Sequence, residues 1–435
     1  MERTARITRY VLCAALATVA FVSSTTAAAG AVKKAHRGRR VTCVVHMKRH
    51  GKKPGRKVRR VVRCNTRRAK RRAKIALKGH GFPSKKSAPT PTGPGSASAV
   101  TGRLDVGLNT SVAGWTDESS RMNEIVSQSG THWIREAFDW SQIEPRRGSY
   151  DFSRYDLLMT VAAQRNVRVL ADLLDTPSWA GANWNTIPSD PSAFAEFVAA
   201  VVKRYGLHGT FWADHPNLQN DAVSTFELWN EPYYDNGNDG AYNPGRYARL
   251  VKAAGNAGHG ADPAAKFLLA ADNQSQLVGS TWVWWVDALY QAVPDLNRYF
   301  DGVAVHPYGT DLTGVQYPAP GKAYDGYGQV RRLESIRQEF VNHGGSGKPL
   351  WITEIGWPTC TNGGSDRCTT SSGQAHDIQT VFDRARSTWK SYVQAVFFYG
   401  YQDNNTNTAD PENDYGLVYH DGSPKPALSV FRANL

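Results

Sequence analysis

The sequence predicts an α/β fold, a (β/α)8 barrel preceded by a small basic extension, on three observations. Eight apolar or β-branched runs recur between residues 101 and 435, helical patterns fill most of the gaps, and polar residues suited to chemistry stand where the runs end. The runs lie near 104–108, 132–138, 167–174, 223–229, 267–271, 302–306, 350–354 and 395–400. Strands separated by helices must pair in parallel through right-handed crossovers, and eight such units suit a closed barrel. An open doubly wound sheet is the competitor. It needs fewer units, and no Gly-x-Gly-x-x-Gly turn follows the first run.

Four segments follow in order along the 435 residues. Residues 1–29 read as a secretory signal: Arg3, Arg6 and Arg9 precede a mostly apolar run from 10 to 22, and Ala27-Ala28-Ala29-Gly30 supplies small residues for cleavage. The run is too short for a membrane span, so none is expected in the mature form; the alternative is a retained anchor. Residues 30–86 form a strongly basic extension. Between Lys33 and Lys86 stand 23 Lys and Arg and no Asp or Glu, whereas residues 101–435 carry 26 basic and 37 acidic side chains, so the formal charge of +14 describes neither part. Such a block is drawn to anionic polymers, including acidic glycans, cell-surface polymers, phospholipid or nucleic acid, through counterion release. Without interleaved aromatics or a recognition motif it gives no evidence of sequence-specific nucleic-acid reading, and no specific nucleic-acid partner is expected. Residues 87–100, rich in Pro, Ser, Gly and Thr, are a linker. Residues 101–435 are the barrel domain.

Cys13 leaves with the signal, and Cys43, Cys64, Cys360 and Cys368 remain, an even number in an oxidising compartment. A turn centred between Lys53 and Pro54 would place Cys43 opposite Cys64 and staple a basic hairpin. A disordered cationic tail is the alternative, since like charges repel and the core would be tiny. Cys360 and Cys368 are expected to close a short loop, their spacing being wrong for zinc.

Two helices of the barrel domain are easily read. Asp190 suits an N-cap and Pro191 a first turn, with Phe194, Phe197, Val198, Val201, Val202 and Tyr205 on one face before Gly206. After Pro244, Tyr247, Leu250, Val251 and Ala254 form another stripe. Arg135, Asp175, Glu231, Asp272, His306 and Glu354 fall near the C-terminal ends of the strands, the face on which barrel enzymes carry out chemistry.

Glu231, in Trp229-Asn230-Glu231-Pro232, and Glu354, in Thr353-Glu354-Ile355-Gly356-Trp357, are the candidate catalytic pair. A glycosidic bond is usually broken by two carboxyl groups, one protonating the leaving oxygen while the other attacks or directs water. A Glu at a strand end could also be merely solvated or pair with a helix cation.

Taken with Trp133-Ile134-Arg135 and Trp140, Ile143-Glu144-Pro145, Gly148-Ser149-Tyr150-Asp151-Phe152, Thr176-Pro177-Ser178-Trp179, His306-Pro307-Tyr308, Gly416-Leu417 and Lys425-Pro426-Ala427, these motifs make residues 101–435 resemble a clan A retaining glycoside hydrolase, in the style of families 5 and 39. The resemblance implies that Glu231 is the acid/base and Glu354 the nucleophile of a double displacement, with carboxyls about 5 Å apart. Arg135 and Tyr308 are expected to bond to Glu354, Asn230 to hold the sugar 2-hydroxyl, and His306 to support the pair. Trp179, Trp184, Trp229, Trp357 and Tyr399 either line the cleft, where flat rings stack on sugars, or fill the core. The sequence departs from family 5 in Leu173-Leu174-Asp175, where a His is common, and in Phe397-Phe398-Tyr399-Gly400, where a Trp is common.

Asp235 to Gly240 fails as a calcium loop because Gly237 takes a ligand position and Arg246 stands where a bidentate Glu is required. The segment Asp403 to Asp414 is either a calcium site or a solvated loop. No Gly-x-Ser-x-Gly or phosphate loop supports acyl or phosphoryl transfer. The expectation is a secreted or cell-surface, monomeric, retaining glycosidase acting on a polysaccharide or oligosaccharide without cofactor or metal. The alternatives are a non-catalytic carbohydrate-binding surface protein and a polyanion binder.

Overall fold

A computed structural model describes residues 41–46, 59–64, 100, 102–218, 223–233, 243–272, 275–278, 281–308, 331–361 and 368–435. Eight parallel strands close into a barrel: β1 (Asp105–Asn109), β2 (Trp133–Asp139), β3 (Arg168–Leu174), β4 (Thr225–Leu228), β5 (Lys266–Ala270), β6 (Gly302–Val305), β7 (Leu350–Ile355) and β8 (Val393–Phe398). Each pairs with its sequence neighbours, and β8 returns to β1 with Ala395 opposite Asp105. Each predicted run is a strand, with its ends moved by at most two residues. Helices follow the strands: α1 (Glu118–Ser129), α2 (Ser153–Ala163), α3 (Pro191–Tyr205), α4 (Pro244–Ala261), α5 (Trp285–Ala292), α6 (Arg331–Asn342), α7 (Ser371–Arg386) and α8 (Pro426–Ala433). None of the described helices is long and apolar enough to cross a membrane.

The two helices expected from periodicity form for the anticipated reasons. In α3 the Asp190 carboxylate accepts from the Ser192 N–H, Pro191 opens the first turn, and the predicted stripe is buried. In α4 Asn243 caps the N-terminus before Pro244, and Tyr247, Leu250, Val251 and Ala254 face the core. The ring of helices thus covers the outward face of the barrel with apolar side chains.

Strand residues alternate between that outer core and the barrel interior. Trp133, Leu170, Leu268, Ala304, Trp351, Ala395 and Phe397 fill the lower interior as a cluster of their own. The rings are large, so a neighbour must be small: a Cβ on Gly107 would lie 2.5 Å from the Phe397 ring and 2.7 Å from the Trp133 carbonyl. Two residues further along the same strands come Asn109, Arg135, Asp172, His306, Thr353 and Tyr399, and Glu227 joins them on β4. The apolar plug therefore gives way to a polar layer one pleat below the C-terminal rim.

After β8 the chain is pinned by Lys425. Its ammonium is fully buried and donates to Asp403 Oδ1 at 2.7 Å, Thr359 Oγ1 at 2.8 Å and the Asp414 carbonyl at 3.1 Å. Of the two readings of the Asp403–Asp414 segment, neither a calcium site nor a freely solvated loop describes Asp403, which is buried against this internal cation. The second candidate loop, Asp235–Gly240, lies outside the described residues.

The disulfide Cys360–Cys368 forms as expected, closing the loop after β7. In the extension, a unit described by itself, Val41–His46 and Arg59–Cys64 pair as antiparallel strands. The expected register is corrected: Cys43 faces Val62 and Cys64 faces Val41, because the pairing is centred one residue earlier than the Lys53-Pro54 junction. The side chains of Cys43 and Cys64 lie outside the described residues.

Candidate active site

Arg135 organises the C-terminal mouth. It lies on β2, and its guanidinium is buried inside the barrel, where its donors are spent on oxygens from four other strands or strand ends. Nε donates to Glu227 Oε2 at 2.7 Å, Nη1 to Asn109 Oδ1 at 2.9 Å and Glu354 Oε1 at 2.7 Å, and Nη2 to Asp172 Oδ2 at 2.8 Å and Asn230 Oδ1 at 3.0 Å. Asn109 passes the constraint on by donating to the Thr353 carbonyl at 2.7 Å. A planar five-donor fork suits such a cage, and lysine could not replace it.

Glu354, on β7, also accepts from the Tyr308 hydroxyl at 2.8 Å. Tyr308 is in turn wedged edge-on against Tyr399 and Tyr415, with ring centroids 6.3 and 5.9 Å away. Across the mouth, Glu231 Oε1 meets His306 Nδ1 at 2.9 Å, and His306 Nε2 meets Thr353 Oγ1 at 3.1 Å. One side-chain nitrogen or oxygen each from Glu231, His306 and Glu354 all lie within 4.8 Å of one another. The two glutamates therefore share one hollow, with an oxygen of each no more than 4.8 Å apart.

The backbone is bent to achieve this. Trp229 and Glu231 adopt φ of +78° and +45°, and Asp175 at the end of β3 adopts +70°. Left-handed backbone at such residues costs roughly 1–3 kcal/mol each and is held by the structure around it. At the end of β4 the two turns swing Trp229 outward onto Phe194, at 5.6 Å, and leave Glu231 facing His306.

The environments of the acids differ. Burial raises the Glu231 carboxyl; His306 opposes this, while the negative charges of Glu354 and Asp272 reinforce it. Burial alone would depress His306, yet the charge of Glu354 and the adjacent Glu227 and Glu231 carboxylates push it up to about 10. Glu227, despite its burial, is held down to about 2 by Arg135 and His306. Asp172 is pushed up to about 8 by burial, against the pull of Arg135.

Of the expected site residues, the structure gathers Arg135, Asn230, Glu231, His306, Tyr308, Glu354 and Tyr399 at the mouth, with Asp272 near enough to act on Glu231. Asp175 is buried at the end of β3. Trp179 is half-buried, its indole donating to the Glu144 carbonyl at 2.8 Å, and Trp184 is half-buried beside it in sequence. Trp357 is corrected: at 1 % exposure it is core filling and offers no face to a sugar. Trp229 is likewise core. The sequence reading missed Asn109, Asp172, Glu227, Thr353 and Tyr415.

Residues 101–395 match the family "Cellulase (glycosyl hydrolase family 5)". Among solved structures, the chain is similar in fold to a family 39 glycoside hydrolase from Bacteroides cellulosilyticus WH2, with a TM-score of 0.54 and 20% identity over 76% of this chain and 63% of that one. It is similarly close to a monomeric beta-xylosidase from Caulobacter crescentus CB15, with a TM-score of 0.52 and 19% identity over 76% and 67%. A family 5 subfamily 18 enzyme from Streptomyces cattleya, solved with GlcNAc, gives 0.53 and 17% over 78% and 80%. The chain thus spans just under two thirds of the Bacteroides enzyme's length. No protein of curated function matches it significantly. Fold and family together define a glycoside hydrolase of the retaining clan A. The chain belongs to glycosyl hydrolase family 5, the cellulase family.

Proposed function

We propose that residues 101–435 hydrolyse O-glycosidic bonds of β-linked, or equivalently oriented furanosyl, sugars in a polysaccharide, with Glu231 as acid/base and Glu354 as nucleophile. The observation that carries this reading is the 4.8 Å cluster that holds both carboxylates in unlike surroundings. Glu354 accepts from a guanidinium and a phenol, contacts that fix where its two oxygens stand in the hollow. Burial favours the protonated form of Glu231, which the leaving oxygen requires. Asn230 Oδ1 is committed to Arg135, so its NH2 group meets a sugar 2-hydroxyl as donor, a contact that tightens in the transition state. Attack by Glu354 forms a glycosyl ester and expels the aglycone with the Glu231 proton; Glu231 then draws a proton from water as that water displaces Glu354. Proton NMR of the fresh product should show the anomeric configuration of the substrate. Inverted product would overturn the assignment.

The pH profile follows from the same contacts. Activity requires a protonated Glu231, so it persists below that group's pKa and is lost as pH rises through it. His306 opposes the raising of Glu231. In His306→Gln that opposition is gone, and the alkaline limb of kcat/KM should move to higher pH; a limb that stays or moves down would contradict the assignment.

The same reading extends to location. A secreted enzyme, exported by residues 1–29 and carried as a monomer, would be held near an anionic surface or substrate by residues 30–86, with 87–100 as tether. Deleting 30–86 should abolish salt-sensitive retention on a sulfated or phosphorylated matrix, and unchanged retention would remove the role.

A further inference from the structure

We propose that Glu227, a buried carboxylate of β4 that touches neither reacting glutamate, is a positioning residue for both of them. This rests on the proposed roles of Glu231 and Glu354 and adds a residue that sets their geometry. One oxygen, Oε2, accepts from Arg135 Nε at 2.7 Å, and that guanidinium reaches Glu354 with Nη1. The other, Oε1, accepts from the Thr353 hydroxyl at 3.2 Å, and Thr353 Oγ1 meets His306 Nε2, whose ring faces Glu231. The same carboxylate thus braces the nucleophile side through β2 and the acid/base side through β6 and β7.

Donor accounting gives the brace a direction. An ionised carboxylate only accepts, so the hydroxyl proton of Thr353 points at Glu227. Thr353 Oγ1 is then left as an acceptor toward His306, which requires a proton on Nε2. With Nε2–H fixed, Nδ1 is the nitrogen that exchanges a proton with Glu231 Oε1 at 2.9 Å. A second carboxylate behind the ring also favours its cationic form, since Glu227 Oε1 lies 3.7 Å from Nε2. The Glu227–Thr353 couple therefore sets both the tautomer and the charge of the group that faces the catalytic proton, as outer partners do for metal-bound histidines.

Glu227 can do this only while ionised, and its surroundings favour that state. Its charged and titratable neighbours are Arg135 from β2, Asp172 from β3, His306 from β6, and Tyr247 from α4, whose hydroxyl is spent on the Leu228 carbonyl and the Ala270 N–H. Arg135 and His306 hold it well below the usual range.

The test reads His306 directly and needs no substrate. The full chain carries 12 histidines; with 15N-histidine labelling and His306→Gln to assign its resonances, two-bond 15N–1H spectra report its tautomer and titration midpoint. In Glu227→Gln the midpoint should fall by at least about one pH unit, and in Thr353→Val the neutral ring should lose its strict Nε2–H form. Turnover by Glu227→Gln, on any polysaccharide the parent cleaves, should drop at least tenfold without a matching rise in KM. An unchanged His306 midpoint and tautomer in both variants would overturn the proposal. If Glu227→Gln does not fold, the hydroxyl deletion alone decides it. Loss of the glycosidase reading with the His306 shifts intact would strike the reaction assignment and leave the brace standing.

Discussion

Replacing Glu354 by Gln is expected to abolish turnover, with kcat falling on the order of 10⁴- to 10⁶-fold while sugar binding persists. The substitution keeps the shape of the side chain and, through the amide oxygen, its contact with Arg135 Nη1, while the NH2 group would donate to the Tyr308 hydroxyl instead of accepting from it; an amide cannot form the glycosyl ester. Steady-state kinetics on a cleaved polysaccharide, paired with calorimetric binding to the same glycan, separates the effects. An enzyme loses rate and keeps affinity; a barrel used only to bind sugar would be indifferent. Azide adds a further discrimination. In Glu231→Ala it should attack the accumulated ester and give a glycosyl azide of retained configuration, whereas in Glu354→Ala, with room for an anion on the opposite side, the azide product should be inverted.

The second large effect is on stability. Arg135→Met should destabilise the barrel by about 3–5 kcal/mol in denaturant titration, because Asp172, Glu227 and Glu354 lose their shared cation and two of the three are deeply buried. Activity should fall as well, since Glu354 loses the donor that holds Oε1 in place. Arg135→Lys is expected to resemble Met more than wild type. An ammonium has three donors on one point and cannot span the five oxygens that the guanidinium reaches. A Lys variant with near-native stability and rate would argue that Arg135 acts as a simple charge.

Much of this could be read without coordinates, and the failures have physical causes. The eight strands were legible because buried parallel strands need runs of β-branched and apolar residues on both faces. His306 and Glu354 were legible because polar residues near strand ends interrupt those runs, whereas Asn230, Tyr308 and the role of Arg135, which stands third in β2 rather than near its C-terminal end, came through the family resemblance. Glu227 and Asp172 were not, for the opposite reason: they stand inside Phe226-Glu227-Leu228 and Ala171-Asp172-Leu173, where a lone acid looks like a blemish in a core strand. Period-two alternation was the available signal, since Leu170 and Asp172 fall on the inward face two residues apart. Trp357 misled because a flat ring that stacks on sugar and one that fills the core are the same residue in a sequence. Two residues beyond the end of β7, its ring is buried in the core. Tyr415 carried no local signal; it reaches Tyr308 only because the segment after β8 folds back over the mouth. The Cys43 and Cys64 register was out by a single step of the turn centre, a slip that strand composition cannot detect.

The Lys425 ammonium, enclosed by Asp403, Thr359 and the Asp414 carbonyl, stands in for an ion that many secreted proteins must borrow from their medium. A charge carried on the chain itself cannot be diluted away, stripped by a chelator or exchanged for a competing metal. The strap that brings Tyr415 against Tyr308 is thus tied down by a charge that is in place as soon as the polypeptide folds.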